Sequence, residues 1–494
     1  MPTQSLRLDD AALWQGCVLA YGHFNTIHPG HIRYLRHARG LGGKLVVALI
    51  GDGKSRYAFR QQERAEALTL LGIADAILLL EDDELNEAIE ALKPEVLVLG
   101  NEFKNKAEIQ ATLVQQRQQG GNVQFHAGDI HYATADLLSG SERDLRQQRR
   151  VLFQAACRRQ SIERGELVDA INSWGSTRLI VLGDTIVDQY AACEAIGMSA
   201  EAPVVVVREL EHKNFIGGAA VVAAHISALG AKCDFISVVG ADSTAELVRQ
   251  ELADQAIGDG LSTDPSRPTT FKKRYVVENQ KLFRVSRLEE HNLDADVEDQ
   301  IIERLQKLAP KVQGIVVSDF VYGVVTPRIL KVVHQLAEQH NLLLFGDLQC
   351  SSQVGSVTRF QKFSLLCPNE REARLALQDK DSGLEQLSRS LLQTTGSERL
   401  VMKLGPEGFI AYDRDPDGQI SNQAFPALSV NPLDVAGAGD SLLALFATGL
   451  ASGQAMMPTA ALACCMAALA VETMGNTPIS ADALQRSIEE MLQS

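Results

Sequence analysis

The sequence predicts an α/β chain of two successive domains, on three observations. Short β-rich runs alternate with segments of helical periodicity from residue 16 to about 140, and the alternation starts again at Arg178 and runs to the end. Such alternation builds parallel sheets whose ligands collect at the carboxyl ends of the strands. Between the two blocks, residues 141–176 read as charged helix with few Gly or Pro, as an ordered connector would. Finally, 494 residues suffice for two or more separate cores. The expected layout is 1–140, a helical connector over 141–176, and 177–494.

In the first block, strands are expected at Val18–Tyr21, Leu45–Ile50, Ala76–Leu80, Val96–Leu99 and Val123–His126. Helical stretches such as Glu63–Leu71 and Lys106–Gln118 lie between them, giving a doubly wound parallel sheet. The first strand ends in a glycine turn, and His28-Pro29-Gly30-His31 opens an amphipathic helix. Two imidazoles three apart share a helix face, at the end where phosphate collects. Attack on the α-phosphate of a nucleoside triphosphate needs such donors on its equatorial and leaving oxygens. An H-x-x-H pair alone is more often a surface pair or part of a metal site. The strand, the Gly22 turn and Gly30 together favour nucleotidyl transfer.

The second block opens with the strand from Arg178 to Gly183-Asp184, with Asp188 four residues on. Carboxylates at a strand end suit sugar hydroxyls, and equally suit a helix cap. Gly217-Gly218-Ala219-Ala220 starts a helix with little side chain to block a ligand. Pro203–Val207 and Lys272–Val285 read as antiparallel pieces of a small flap over a pocket. On that flap Lys272, Arg274, Asn279 and Arg284 could meet a substrate phosphate, although taken alone they would be solvated strand faces. Further strands are expected at Gly314–Val317, Leu342–Phe345, Leu365–Cys367 and Leu400–Lys403, with Ser318-Asp319 and Asp347 at strand ends. Pro368-Asn369-Glu370-Arg371-Glu372 offers an Asn and carboxylates suited to holding magnesium through water. Lys403-Leu404-Gly405 and Gly408 mark a turn near which a nucleotide could lie.

The most informative stretch is Asp434-Val435-Ala436-Gly437-Ala438-Gly439-Asp440-Ser441, followed by an apolar helix. The small residues Gly437, Ala438 and Gly439 let backbone amides approach a phosphate at the positive end of that helix. Asp440 stands where a carboxylate could take the proton of an attacking sugar hydroxyl.

Composition narrows the partners. The net charge of −15, without any basic block, argues against nucleic acid or an anionic membrane surface. The eight cysteines are scattered without zinc-ligand spacing, as in a reducing compartment. The N-terminus has no signal-peptide architecture, and the apolar run Ala460–Val471 is short for a bilayer. A cytoplasmic enzyme of small phosphorylated substrates is expected.

These motifs, with Ser199-Ala200-Glu201-Ala202-Pro203, Ser318-Asp319 and Pro368-Asn369-x-x-Glu372, resemble the ribokinase (PfkB-type) sugar kinases over 178–490. Within that superfamily the chain is most similar to the heptose 7-phosphate kinase half of bifunctional ADP-heptose synthases. The resemblance implies Asp440 as catalytic base, Gly437–Gly439 as anion hole, and Asn369 and Glu372 near magnesium and the ATP phosphates. It also implies Asp184, Gly217 and Gly218 around the sugar. The chain departs from the family pattern at Val221 (usually Asn), Tyr322 (usually Lys), Gln349 (usually Lys) and Ala436 (usually Thr).

The N-terminal block resembles the cytidylyltransferase-like superfamily, through His28-x-Gly30-His31, Phe24-Asn25, Arg60…Glu63-Arg64, Val98–Phe103 and Ala133-Thr134-Ala135-Asp136. By this match His28 and His31 stabilise the transferring phosphate and departing pyrophosphate, Arg64 partners the triphosphate, and Thr134 donates a hydroxyl. Asn25 stands where Asp is usual, and Ala133 and Ala135 replace hydroxyl residues. The transferase leads here, whereas the kinase leads in the enzymes it resembles.

The expected function is bifunctional synthesis of an activated sugar. A sugar phosphate such as heptose 7-phosphate is phosphorylated at its anomeric hydroxyl by ATP with Mg2+. A sugar 1-phosphate then receives a nucleotide, with release of pyrophosphate. The alternative is a sugar kinase whose degenerate transferase domain serves assembly or nucleotide sensing. Small phosphorylated sugars, nucleoside triphosphates and a second copy of the chain are the expected partners.

Overall fold

Val18–Gly22 is an unbroken apolar run, and a strand buried on both faces requires that pattern. In the computed structural model it is the centre of one of two compact units. These comprise residues 1–138 with 377–390, and 139–376 with 391–494. The structure describes residues 4–8, 13–24, 29–52, 59–81, 84–100, 103, 107–126, 142–201, 204–277, 280–349, 355–415 and 417–493. His28, Asn25, Thr134 and Asn279 lie outside the described residues.

The first unit contains β1 (Gln4–Leu6), β2 (Val18–Gly22), β3 (Leu45–Leu49), β4 (Ala76–Leu79), β5 (Val96–Gly100) and β6 (Asn122–His126). They form a parallel sheet in the order β1-β4-β3-β2-β5-β6. Alternate residues feed opposite faces: Leu19, Tyr21, Val46 and Leu97 enter one core, and Val18, Ala20, Val47 and Val98 the other. Winding reverses between β2 and β5, which opens a crevice at their carboxyl ends. Tyr34 of the helix Pro29–Gly40 pins that point, its hydroxyl donating to the Val98 carbonyl at 2.7 Å. β1 was not expected from sequence; it is three residues long and two of them, Gln4 and Ser5, are polar, below what alternation can reveal.

The second unit is built on β7 (Arg178–Gly183), β10 (Lys232–Val239), β11 (Gly258–Thr263), β14 (Gly314–Asp319), β15 (Leu343–Leu348), β16 (Leu365–Leu366), β17 (Arg399–Lys403), β18 (Phe409–Arg414) and β19 (Ile420–Phe425). Their order is β11-β10-β7-β14-β15-β16-β17-β18-β19, with parallel pairing except β17-β18 and β18-β19, which are antiparallel. Parallel alignment puts Asp184, Asp319, Asp347, Asn369 and Lys403 at one edge, after successive strand ends. The helices Ala438–Ala451 and Met456–Val471 are apolar almost all round because they are buried in this core. Among the described residues no helix is long and apolar enough to cross a membrane.

The helices Glu142–Arg159 and Arg164–Ser173 occupy the stretch read as a connector. Phe153, Leu167 and Trp174 belong to the core of the second unit. Gln154 donates to the Met491 carbonyl at 2.8 Å.

The flap is larger than the sequence suggests. β8 (Thr185–Met198) and β9 (Val205–Gly218), each of 14 residues, pair antiparallel. β12 (Thr270–Val277) and β13 (Gln280–Arg287) complete a sheet in the order β13-β12-β8-β9. β8 was missed because its Ala- and Glu-containing second half has no β-propensity; β12 flanks only Ile186–Cys193, and pairing with β9 carries the strand on to Met198. Strand period then places Asp188 and Tyr190 on one face, with Lys272 and Arg274 opposite them in register.

Candidate active site

The helix Ala438–Ala451 begins at Gly437, whose φ of +77° suits glycine, and no side chain caps its start. Asp440 lies in that first turn and is buried. Its Oδ1 accepts from Gln349 Nε2 at 2.8 Å. Burial, then the nearby charge of Asp347, pushes its carboxyl up to about 8. Such a group is matched to proton transfer near neutral pH.

Asp347, fully buried at the end of β15, receives the Lys403 ammonium on both oxygens, at 2.9 and 2.7 Å. Burial lifts the Asp347 carboxyl to about 6 against the pull of Lys403. Burial works against the Lys403 ammonium, but the charges of Asp347 and Glu372 outweigh it and raise its pKa. A Cβ built on Gly439 would stand 3.3 Å from Lys403 Nζ, so this cation borders the backbone cradle. Asn369 and Glu372 cap their helix reciprocally: the Glu372 amide donates to Asn369 Oδ1 and the Asn369 amide to Glu372 Oε2, each at 2.8 Å. Gly405 forms the turn after β17.

On the flap side, Asp188 pairs with Arg274 and closes against Gly217, where a Cβ would meet its Oδ2 at 2.6 Å. Its charge also reaches Asp440. Asp184 accepts from two amides of the loop after β14, those of Phe320 (2.7 Å) and Val324 (3.4 Å). Burial and the charge of Asp319 hold it up to about 7. Gly218 packs on the Asp184 carbonyl, 2.3 Å from where a Cβ would be. The ammonium of Lys272 lies 5.1 Å from the ring centre of Tyr322 and 5.6 Å from that of Phe320. Arg284, opposite Arg274 in register, is exposed.

Five groups here were not assigned roles from sequence: Asp347, Gln349, Tyr190, Lys281 and Asn476. A carboxylate at a strand end was a usable signal for Asp347. Tyr190, Lys281 and Asn476 reach the region only through tertiary folding.

In the first unit, Phe24 leaves β2 with φ +47° and its ring lies 5.1 Å from that of His31. Gly30 is in the first turn of the same helix as His31. Arg64 is buried and clamps the strand ends: it donates to the carbonyls of Ile50 (2.9 Å), Phe59 (3.2 Å) and His23, and to Asp52 Oδ1 (2.7 Å).

A parallel sheet with a side flap, strand-end acids and a glycine-led helix start beside them define a carbohydrate kinase fold. The chain belongs to the pfkB family of carbohydrate kinases, which matches residues 176–483. A cytidylyltransferase-like family model also matches, over residues 19–216. It is similar to the bifunctional protein HldE of Geobacter sulfurreducens, 32% identical over 311 residues, covering 62% of each chain. The same protein from Trichlorobacter lovleyi is 30% identical over 321 residues, covering 64% of each. The chain thus spans less than two thirds of the length of the curated relatives it matches. Among solved structures, ribokinase of Thermotoga maritima superposes with a TM-score of 0.51 at 18% identity, covering 63% of this chain and 99% of that one. Phosphofructokinase-2 of Escherichia coli gives 0.52 at 16% identity, covering 64% and 99%. These two show the fold.

Proposed function

We propose that the second unit phosphorylates a sugar phosphate, with heptose 7-phosphate as substrate and its anomeric hydroxyl as acceptor. The observation that carries this reading is Asp440, buried at the helix start one residue after the Gly437–Gly439 cradle. Its carboxylate, once ionised, takes the hydroxyl proton as the oxygen attacks the γ-phosphorus of ATP. The amides of the cradle and the Lys403 ammonium receive the charge gathering on the transferred group. Asp188, Gly217 and Gly218 form the sugar floor, while Lys272 and Arg274 face the substrate's own phosphate.

Among the described residues no cluster of three or more His, Cys, Asp or Glu could hold a metal. The donors present suit a magnesium ion carried by the ATP phosphates and met by Glu372 and Asn369 through water. Bound there, it would neutralise phosphate charge.

The first unit is proposed to transfer a nucleotide to the sugar 1-phosphate, with His31, His28 and Gly30 at the phosphates and Phe24, Asn25, Arg64 and Thr134 around the nucleotide. Relatives named as bifunctional and the crevice at the β2/β5 switch point support this. A second copy of the chain is proposed to cover the exposed flap residues Ile196, Met198, Val205 and Leu210. Buried free thiols among the described cysteines accord with a reducing, cytoplasmic setting.

The test is a phosphorus NMR time course with ATP, magnesium and D-glycero-D-manno-heptose 7-phosphate. An anomeric phosphate resonance is expected. Intact ATP with this sugar, and turnover with another, would overturn the heptose assignment.

A further inference from the structure

The anion-hole loop is held by groups that the chemistry above does not use. Asp434 stands three residues before Gly437, and its carboxylate is buried. Oδ1 accepts from the Ala436 amide at 3.1 Å and the Lys281 ammonium at 2.7 Å. Oδ2 accepts from the Tyr190 hydroxyl at 2.7 Å and the Gly475 amide at 3.4 Å. Two of these donors are loop amides; the other two come from the flap, on β8 and β13. Burial opposes ionisation of Asp434, but the hydrogen bonds from Lys281 and Tyr190 hold it below the ordinary carboxylate range. The Tyr190 ring also lies 5.3 Å from both the Lys281 ammonium and the Arg274 guanidinium carbon. Arg274 in turn pairs with Asp188 on the sugar floor. A continuous path therefore runs from Asp188 through Arg274, Tyr190 and Lys281 to Asp434.

Asn476 makes a second bridge. Its Nδ2 donates to the Ile216 carbonyl at 3.1 Å and to Asp188 Oδ2 at 3.5 Å. Both partners are acceptors, which fixes the orientation of the amide. Oδ1 then faces Gly437, 2.5 Å from where a Cβ would be, buried and without a hydrogen-bond partner among the described residues. Any side chain at 437 would break this contact.

We propose that Tyr190, Lys281 and Asn476 are positioning residues that couple the flap and sugar floor to the anion-hole loop, so that nucleotide phosphates in the loop and the flap over the sugar settle together. The inference rests on the kinase reading above. A buried carboxylate that loses one of its two flap donors must find another, so the loop and flap cannot move independently. Coupling of this kind is reciprocal: whatever orders the loop orders the flap.

Hydrogen exchange of the full chain with ADP and magnesium as probe tests this, with calorimetry run in parallel. In the wild type, ADP is expected to slow exchange in 433–439 and also, by about fivefold, in β8 and β13. Lys281→Met and Tyr190→Phe should still bind ADP within about threefold, while flap slowing falls below about twofold. Lys281→Arg should restore it. Tyr190→Phe removes one hydroxyl only and guards against a folding defect in Lys281→Met. Equal flap slowing in the variants, or a wild-type flap that ignores ADP while the loop responds, would overturn the relay. A wild-type chain that binds no ADP brings down the kinase reading itself, which calorimetry shows separately.

Discussion

Asp440→Asn keeps the volume of the side chain and an oxygen for Gln349 to donate to, while removing only the ability to hold and release a proton. In the folded chain this carboxyl titrates near 8, against an ordinary 3.8. The folded state therefore keeps the proton to higher pH than the unfolded state. Stability from this group is intact below about pH 4, is lost progressively between about pH 4 and 8, and stays lost above. The span from 3.8 to about 8, at about 1.36 kcal/mol per pH unit, gives an upper bound of about 6 kcal/mol. The Asn variant escapes this loss, so it should be more stable than the wild type at pH 8.5 and nearly equal at pH 4. Urea unfolding followed by Trp174 fluorescence in a Trp14→Phe background reads this, since the chain has two tryptophans. The same variant should lose about 10²–10⁴-fold in kinase turnover. Wild-type kcat/KM should rise with pH toward about 8, as the base ionises. A stability gap that does not widen with pH, or a variant within tenfold of wild-type turnover, would refute both the buried proton and the base.

Lys403→Met should destabilise the second unit by about 3–5 kcal/mol, because Asp347 is left buried and unpaired; urea unfolding checks it. Adding Asp347→Asn should recover most of that stability but not turnover. His31→Ala should lower nucleotidyl transfer by about 10²-fold or more while kinase turnover, assayed separately, stays unchanged. Met198→Asp with Val205→Asp, a cross-strand pair on the exposed flap face, should shift sedimentation velocity from dimer to monomer.

Alternation made both sheets legible, because strands buried on two faces must be continuous apolar runs such as 18–22 and 179–183. The helix start after Gly437 was legible as well, since a glycine-led turn before an apolar run is written in contiguous residues. β8 was not: Thr185–Met198 has no strong pattern and becomes a strand by pairing with β9 and β12. Lys272 and Arg274 were visible as a polar set, yet nothing local tells that Arg274 pairs with Asp188 while Arg284 is left exposed. The stretch over 142–176 was legible as helix, but its membership in the core of the second unit depends on partners such as Met491, more than 300 residues away.

The sequence by itself determined the two α/β blocks, the glycine-led helix start and the acid that follows it, because each is written in contiguous residues with a fixed local geometry. Only the tertiary structure decided the electrostatics. Asp347 and Lys403 are 56 residues apart in sequence, Lys281 and Asp434 are 153 apart, and Asn476 and Asp188 are 288 apart. Charges separated by such distances along the chain meet only when strands from different parts of the sequence end at one edge of a sheet. Burial of Asp440 beside Asp347 is what pushes its carboxyl up, against the pull of Lys403.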